Sequence, residues 1–472
     1  MKTITAGVLA QWAGGELIVG EASTLVGPDV VTDSRQTTPG AVFVAIPGER
    51  VDGHDYVAAA GAAGAGAALV SRRTDADLPQ VLVADTVAGL SSLARNVVAD
   101  AKASGLVVVG ITGSSGKTST KDLIAQVLAT AGPTVAPPGS FNNEIGAPLT
   151  ACQVDAGTRF LVSEMGARGL GHVAWLCGIT PPTIGAVINV GHAHLGEFGS
   201  QDVIAQAKGE LVEALDADGW AVLNADDPRV AAMAERTPAR LALFSAVGEP
   251  TFGDLRVWAT DVAPDDFQRY SFTLCAAGSF AGRASVSLRV LGEHNVSNAL
   301  AAAAVALCAG LAVDAVAAAL SVATTRSKWR MQLDQRADGL AVLNDSYNAN
   351  PDSMAAALAS VVRLRRPGGR VVAVLGDMLE LGDGAVDAHR EVGRLAAGAG
   401  VDELVAVGAH GPDLVAGFVA QGGPARYWAD KVDAAADLAP RVGALDVVLV
   451  KASRGIGLET VAEGLLREGA GR

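Results

Sequence analysis

Residues 107–120, VVVGITGSSGKTST, begin as an apolar, β-branched strand and break into a glycine-rich loop that ends in Lys117-Thr118. The segment TKDLIAQVLAT that follows has the pattern of a helix. Glycines let backbone amides turn toward phosphate oxygens, and a helix N-terminus adds its positive dipole. Lys117 is placed to reach a β- or γ-phosphate, and the Thr118 hydroxyl to ligate Mg2+. Gly113, Ser114, Ser115, Gly116 and Ser119 complete the turn. Ile111 stands where the usual GxxxxGK[ST] loop has its first glycine, so Gly113 and Gly116 bracket a shorter turn. The plain alternative is an ordinary strand–turn–helix corner. The succession of strand, loop, Lys-Thr and helix favours a nucleotide site.

Downstream of this loop, apolar runs alternate with helical segments, as buried parallel strands require. FLVSEM (160–165), IGAVINV (184–190), WAVLNAD (220–226) and LALFS (241–245) are the expected strands. From 253 to 291 the pattern alternates, as in RYSFTLCA and ASVSLRVL, which predicts antiparallel strands on the same core. Ala-rich helices over 297–321, broken near Gly310, close this unit. A further α/β unit begins near Ser327, with strands in AVLND, RVVAVLGD, ELVAVG and DVVLVKA. Upstream, AVFVAI (41–46), a helix over 57–67, the strands AALV and VLVA, and a helix reaching about Ala103 predict a small α/β domain. The expectation is therefore an α/β chain of three domains, at residues 1–104, 105–325 and 326–472, with a parallel-sheet centre and a Rossmann-like C-terminal unit.

Composition narrows the function classes. The net charge of −14 excludes a general binder of nucleic acid or of anionic membrane surfaces. Cys152, Cys177, Cys275 and Cys308 form no CxxC pair, so reduced thiols are expected, with neither a disulfide framework nor a zinc site. The start, MKTITAGVLAQWAGGEL, lacks the charged-then-apolar pattern of a signal peptide, and the apolar run from Ala299 to Val313 is too short to span a bilayer. A cytoplasmic protein without membrane insertion is expected. Nothing in the sequence demands assembly, so a monomer is the expectation.

Further strand ends carry candidate metal ligands. Glu164 follows one apolar strand, and His192 and His194 follow another in VINVGHAHLGEFGS. A carboxylate at Mg2+ is natural; a histidine there is less usual, and HAH reads equally well as a surface loop. Lys208, in QAKGEL on an expected helix, would ordinarily be solvated. Together with TGSSGKT, SEMG, GEHNVSNALAA and NDSYNANPDSM, these segments occur in the order seen in Mur ligases, and VTDSRQTTPGAVFVAIPGERVDGHDY resembles that family's UDP-substrate domain. The resemblance covers essentially the whole chain. Mur ligases add amino acids to a UDP-N-acetylmuramoyl carboxylate with ATP.

The resemblance implies roles position by position. Lys117 and Thr118 hold the triphosphate of ATP and a first Mg2+; Glu164 ligates Mg2+, and His194 helps to bind a second. Lys208 matches the lysine that the family carbamylates, which turns an ammonium into an anion able to ligate or orient metal. Asn295 is similar to the adenine-contacting asparagine, and Arg330 and Asp345 to C-terminal residues that reach the phosphates and ribose. Ser34 and Arg35 look like contacts to the UDP or muramoyl part; Arg35 suits a pyrophosphate, though a structural ion pair is equally natural.

Within the family, SFNNEIGAPLT with Asn142, Asn143 and Glu144, the NDSYNANPDSM segment with Tyr347 and Asn350, and GDMLELG resemble the member that adds D-alanyl-D-alanine to a UDP-N-acetylmuramoyl-tripeptide. The DNPR-like segment of the diaminopimelate-adding relative is absent. Asn350-Pro351 also reads as a helix start. The competing readings are a dipeptide ligase adding diaminopimelate or lysine, a folate polyglutamate-type ligase, an NTPase switch and a non-catalytic scaffold. About a hundred residues ahead of the loop oppose the folate layout, and Lys117, Thr118, Glu164 and Lys208 together oppose the last two.

Overall fold

The computed structural model describes residues 1–48, 51–191, 198 and 200–467. Among these residues the strands form four sheets. The largest runs, edge to edge, through Gly282–Leu291, Arg269–Gly278, Leu255–Pro264, Arg240–Ser245, Trp220–Asn224, Ile184–Val187, Val107–Thr112, Phe160–Glu164 and Thr134–Val135. From Leu255–Pro264 to Thr134–Val135 the pairing is parallel, and the two strands beyond Leu255–Pro264 are antiparallel. Val107–Thr112 lies inside this sheet, with Ile111 opposite Glu164 on one side and Thr112 opposite Val187 on the other. A strand paired on both edges and covered on both faces meets no water, which is why its sequence is continuously apolar. The same register brings the ends of three strands, and the loops that leave them, to one rim.

Upstream, a five-stranded sheet runs Glu16–Val19, Gln80–Leu82, Ala67–Val70, Val42–Val44, Val30–Val31. Its core is continuous with the central unit: Leu90, Leu93 and Val97 of helix Thr86–Lys102 share one cluster with Val108, Leu161 and Ile179. Downstream, Gln332–Gln335, Ala341–Asn344, Val447–Lys451, Val371–Gly376, Glu403–Val407 and Ala425–Trp428 form a six-stranded sheet with an apolar cluster on each face. No helix among the described residues is long and apolar enough to cross a membrane.

Three local expectations change. The helix expected over 57–67 stops at Ala62, because Gly64 turns at φ +103° and Gly66 passes so close to Gly40 that an added Cβ would lie 2.7 Å from its carbonyl oxygen. The strands Gln332–Gln335 and Ala425–Trp428 had no sequence signal. Both are short edge strands without a fully buried residue, so neither needs an apolar run.

The helix His294–Cys308 packs against both the central sheet and the phosphate-loop helix Lys117–Leu128, and Ala299, Ala301, Ala302, Ala303, Ala304 and Ala306 on it are wholly buried. Alanine allows this close approach because it adds no side chain beyond Cβ. Replacing Ala303 by Leu inserts volume where none is free, and should lower stability by about 1–3 kcal/mol. A urea titration followed by circular dichroism checks this; an unchanged midpoint would contradict the packing described.

Candidate active site

The rim of the central sheet opens into a cavity of about 1140 Å³, walled on the opposite side by residues after 329. Ser114, Ser115, Gly116, Lys117, Thr118 and Ser119 line its floor. Asn189, at the end of the neighbouring strand, accepts hydrogen bonds from the Ser114 and Ser115 amides (both 2.9 Å) and donates to the Ser115 carbonyl (2.9 Å). The loop is thus shaped by a side chain that the sequence did not single out. Two of its amides are already occupied, which leaves the first amides of helix Lys117–Leu128, without partners inside the helix, as the natural phosphate donors. Gly113 bends beneath: a Cβ there would fall 2.3 Å from Ile188 Cγ1.

Lys117 donates to the Gly113 carbonyl at 2.7 Å and is held below its ordinary pKa by burial, a shift that Glu164 opposes and Arg330 reinforces. Lys208 is 4% exposed, which overturns the solvated alternative. Its helix, Gln201–Glu213, buries Ile204, Ala207, Lys208 and Leu211 together, the i, i+3, i+4, i+7 face. Burial, and then the neighbouring Lys117, push Lys208 well below the usual lysine range. Two lysines lining one cavity thus both disfavour the ammonium form, a strong electrostatic demand for anions.

Glu164 is 1% exposed. Its Oε1 accepts from Asn142 Nδ2 at 2.8 Å and from Thr118 Oγ1 at 3.2 Å, whereas Oε2 is buried with no hydrogen-bond partner among the described residues. A buried carboxylate oxygen left without a donor is costly unless a cation meets it. Glu164, Thr118 and a pair of charge-poor lysines therefore fit a hard divalent ion of the Mg2+ type, with oxygen ligands. His192 and His194 lie outside the described residues.

The far wall comes from the C-terminal unit. Trp329 and Met331 take left-handed backbone conformations (φ +59° and +47°), uncommon for such side chains, and Arg330 between them turns back toward the cavity. Its guanidinium lies 4.2 Å over the Tyr347 ring, and Nη2 donates to Ser140 Oγ at 2.7 Å. Asp345 lines the same wall, but its oxygens are engaged by Lys451 Nζ (2.5 Å) and the Met331 amide (3.0 Å). Asn350 caps helix Pro351–Arg363 with a capping box to Ser353 and still borders the cavity. Asn143 folds onto the Gly146 amide at 2.9 Å, while Asn142, Asn143 and Glu144 all line the opening.

Other candidates lie elsewhere. Asn295 borders a small side cavity next to the main one, donates to the Leu291 carbonyl at 2.7 Å and accepts from Asn298 at 2.8 Å. Ser34 and Arg35 are on a 3-10 turn that does not line the main cavity. Arg35 is ion-paired with Asp33 at 2.8 Å, and its hydrogen bonds hold the Asp33 carboxyl down at about 2. Besides Asn189, sequence reasoning passed over Ser140, His294, Lys451 and Arg454, all of which line the cavity. Only the positions of Asn189, at the end of an apolar strand, and Ser140, inside SFNNEIG, offered a signal.

Comparison with known proteins bears on this geometry. The profile of the Mur ligase middle domain matches residues 111–306, that of the Mur ligase, glutamate ligase domain 329–454, and that of the Mur ligase family, catalytic domain 29–109. The UDP-N-acetylmuramoyl-tripeptide--D-alanyl-D-alanine ligase of Mycobacterium tuberculosis is 46% identical, over 92% of this chain and 91% of its own. The protein of the same name from Escherichia coli is 35% identical over 99% of this chain and all of its own length (100%). Among solved structures, MurF from Acinetobacter baumannii superposes with a TM-score of 0.86 at 31% identity, covering 99% of both chains. MurF from Thermotoga maritima, solved with ADP, gives 0.76 at 30% identity over 93% of this chain and 97% of that one.

Gly116 sits at φ +81°, and a Cβ there would lie 2.9 Å from Asn298 Oδ1. Gly116→Ala should therefore weaken ADP binding by about tenfold or more, through strain in the loop. Calorimetric titration checks this, and wild-type affinity would mean that the loop tolerates another path.

Proposed function

The chain belongs to the Mur ligase family, and on that premise we propose that it joins D-alanyl-D-alanine to a UDP-N-acetylmuramoyl-tripeptide, with ATP converted to ADP and phosphate. The relatives of that name, matched across nearly their whole length, support the choice of substrates. The observation that carries the chemistry is the buried Glu164, with one oxygen bound by Thr118 and Asn142 and the other unpartnered, beside Lys117.

A carboxylate is a poor electrophile, so its oxygen first attacks the γ-phosphate, giving an acyl phosphate and ADP. The amine of D-alanyl-D-alanine then attacks the acyl carbon, and phosphate leaves from the tetrahedral intermediate. Positioning and charge neutralisation dominate such phosphoryl transfer. Lys117 and the first-turn amides of its helix hold phosphate oxygens, and Arg330 approaches them from the C-terminal wall. Thr118 and Glu164, with His194, are the residues we assign to Mg2+, which neutralises phosphate charge when bound. Asn142, Asn143, Glu144, Tyr347 and Asn350 border the opening where the peptide substrates meet. Asn295, at the side cavity, and Asp345 are assigned to the nucleoside, and Ser34 and Arg35 to the UDP-muramoyl part. Residues 1–104, 105–325 and 326–472 then act as the UDP-substrate, ATP-binding and amine-substrate units of a cytoplasmic monomer.

Lys208 gains a chemical reason in this scheme. Burial, and then the neighbouring Lys117, shift Lys208 toward its free amine, the form that attacks carbon dioxide. The resulting carbamate is an anion beside Lys117, which relieves the repulsion between two neighbouring lysines.

The first experiment follows phosphate release with ATP, Mg2+ and UDP-muramoyl-peptide acceptors crossed against candidate amines. Release confined to tripeptide plus D-alanyl-D-alanine, with the pentapeptide product seen by mass spectrometry, is expected; release with dipeptide plus diaminopimelate or lysine would overturn the substrate assignment. Lys117→Ala should cut turnover at least about a hundredfold, as loss of a preorganised charge does. Lys208→Ala should fail likewise and recover in part with added short carboxylates. Full activity of that variant without additive would exclude the carbamate.

A further inference from the structure

Thr118, Ser140, Glu164 and Arg330 form one hydrogen-bonded chain across the cavity. Arg330 Nη2 lies 2.7 Å from Ser140 Oγ, Ser140 Oγ 2.7 Å from Thr118 Oγ1, and Thr118 Oγ1 3.2 Å from Glu164 Oε1. The middle contact joins two hydroxyls, either of which is able to donate, but the ends remove the choice. A guanidinium only donates and an ionised carboxylate only accepts. Thr118 has a single hydroxyl proton, and Glu164 takes it. Ser140 must therefore give its own proton to Thr118 while accepting from Arg330. Every proton in the chain points from the C-terminal wall toward Glu164.

This direction has a consequence at the far end. With its proton committed to Glu164 and one lone pair filled by Ser140, Thr118 keeps one lone pair, on the oxygen beside the unpartnered Glu164 Oε2. A hydroxyl ligates a cation through a lone pair. If the Ser140 hydroxyl were missing, the Thr118 oxygen would be less firmly set, and Arg330 would lose its anchor on the central unit.

We propose that Ser140 is a positioning residue, whose hydroxyl carries the docking of Arg330 to Thr118 and fixes the Thr118 lone pair for the divalent cation that accompanies the nucleotide. The inference rests on the proposed ATP and Mg2+ site, and it goes beyond that site by naming the group that makes metal binding sensitive to the C-terminal wall. Arg330 brings the donor only when that wall is in place, so metal and nucleotide are held best in the closed arrangement.

The test measures ADP binding by calorimetry, without turnover, in EDTA and in Mg2+. In the parent protein Mg2+ should tighten ADP. Ser140→Ala should lose about tenfold in the Mg2+ arm, as for one hydrogen bond in a charged setting, and less than about twofold in EDTA. Ser140→Thr keeps the hydroxyl and should recover most of the loss. In an Arg330→Met background, Ser140→Ala should cost less than about twofold in Mg2+, because contacting residues in one network do not add. An equal loss in both arms would mark a merely structural serine and overturn the proposal. So would a Ser140→Ala protein with the parent's response to Mg2+, a threonine variant as weak as alanine, or full additivity with Arg330→Met. A parent protein that binds ADP no better with Mg2+ would instead remove the metal-site reading itself, and the proposal with it.

Discussion

Charge held out of water without full compensation is the constraint around which the centre of this molecule is arranged. Glu164, Lys117 and Lys208 are all withdrawn from solvent at the rim of one sheet, with a carboxylate oxygen lacking a donor and Lys208 facing another lysine. Such an arrangement costs stability, and it persists only where surrounding structure over-determines it. The parallel pairing of Val107–Thr112 with both neighbours supplies that rigidity, and the alanine-faced helix His294–Cys308 braces the phosphate-loop helix from behind.

The C-terminal unit is joined to this centre more firmly than a flexible linker would allow. Gln126 on the phosphate-loop helix exchanges hydrogen bonds with the backbone of Thr324, and Asp122 accepts from the Ser327 amide at 2.8 Å. The crossing between units is thus stapled to the helix whose first turn lines the floor of the cavity. Two residues later the backbone enters the left-handed turns at Trp329 and Met331 that aim Arg330. Cavity floor and far wall are linked through this one helix.

How much of this was legible depends on the range of the interaction. The phosphate loop was readable because strand, glycines and Lys-Thr are neighbours in the chain, and the buried strands because parallel pairing demands unbroken apolar runs. Lys208 was misjudged as solvated, although Ile204, Ala207 and Leu211 around it mark the face that goes inside; the helical period, applied to the lysine itself, would have placed it. Asn189 and Ser140 could not be weighted in the same way. Their importance comes from which strand lies beside which, and from a contact to Arg330 that spans nearly two hundred residues. Short edge strands such as Gln332–Gln335 escaped because a half-exposed strand leaves no compositional trace.

The cavity takes its floor from residues near 117 and its far wall from residues as late as Lys451 and Arg454. A ribosome making this chain finishes the phosphate loop on the order of half a minute before it finishes the wall, at typical rates of synthesis. During that interval the nascent chain has the loop but lacks Arg330, Asp345 and Lys451. The order of the segments along the chain therefore sets an order of assembly: the floor of the cavity is made first and its far wall last, and the cavity is whole only once the final strand has been added.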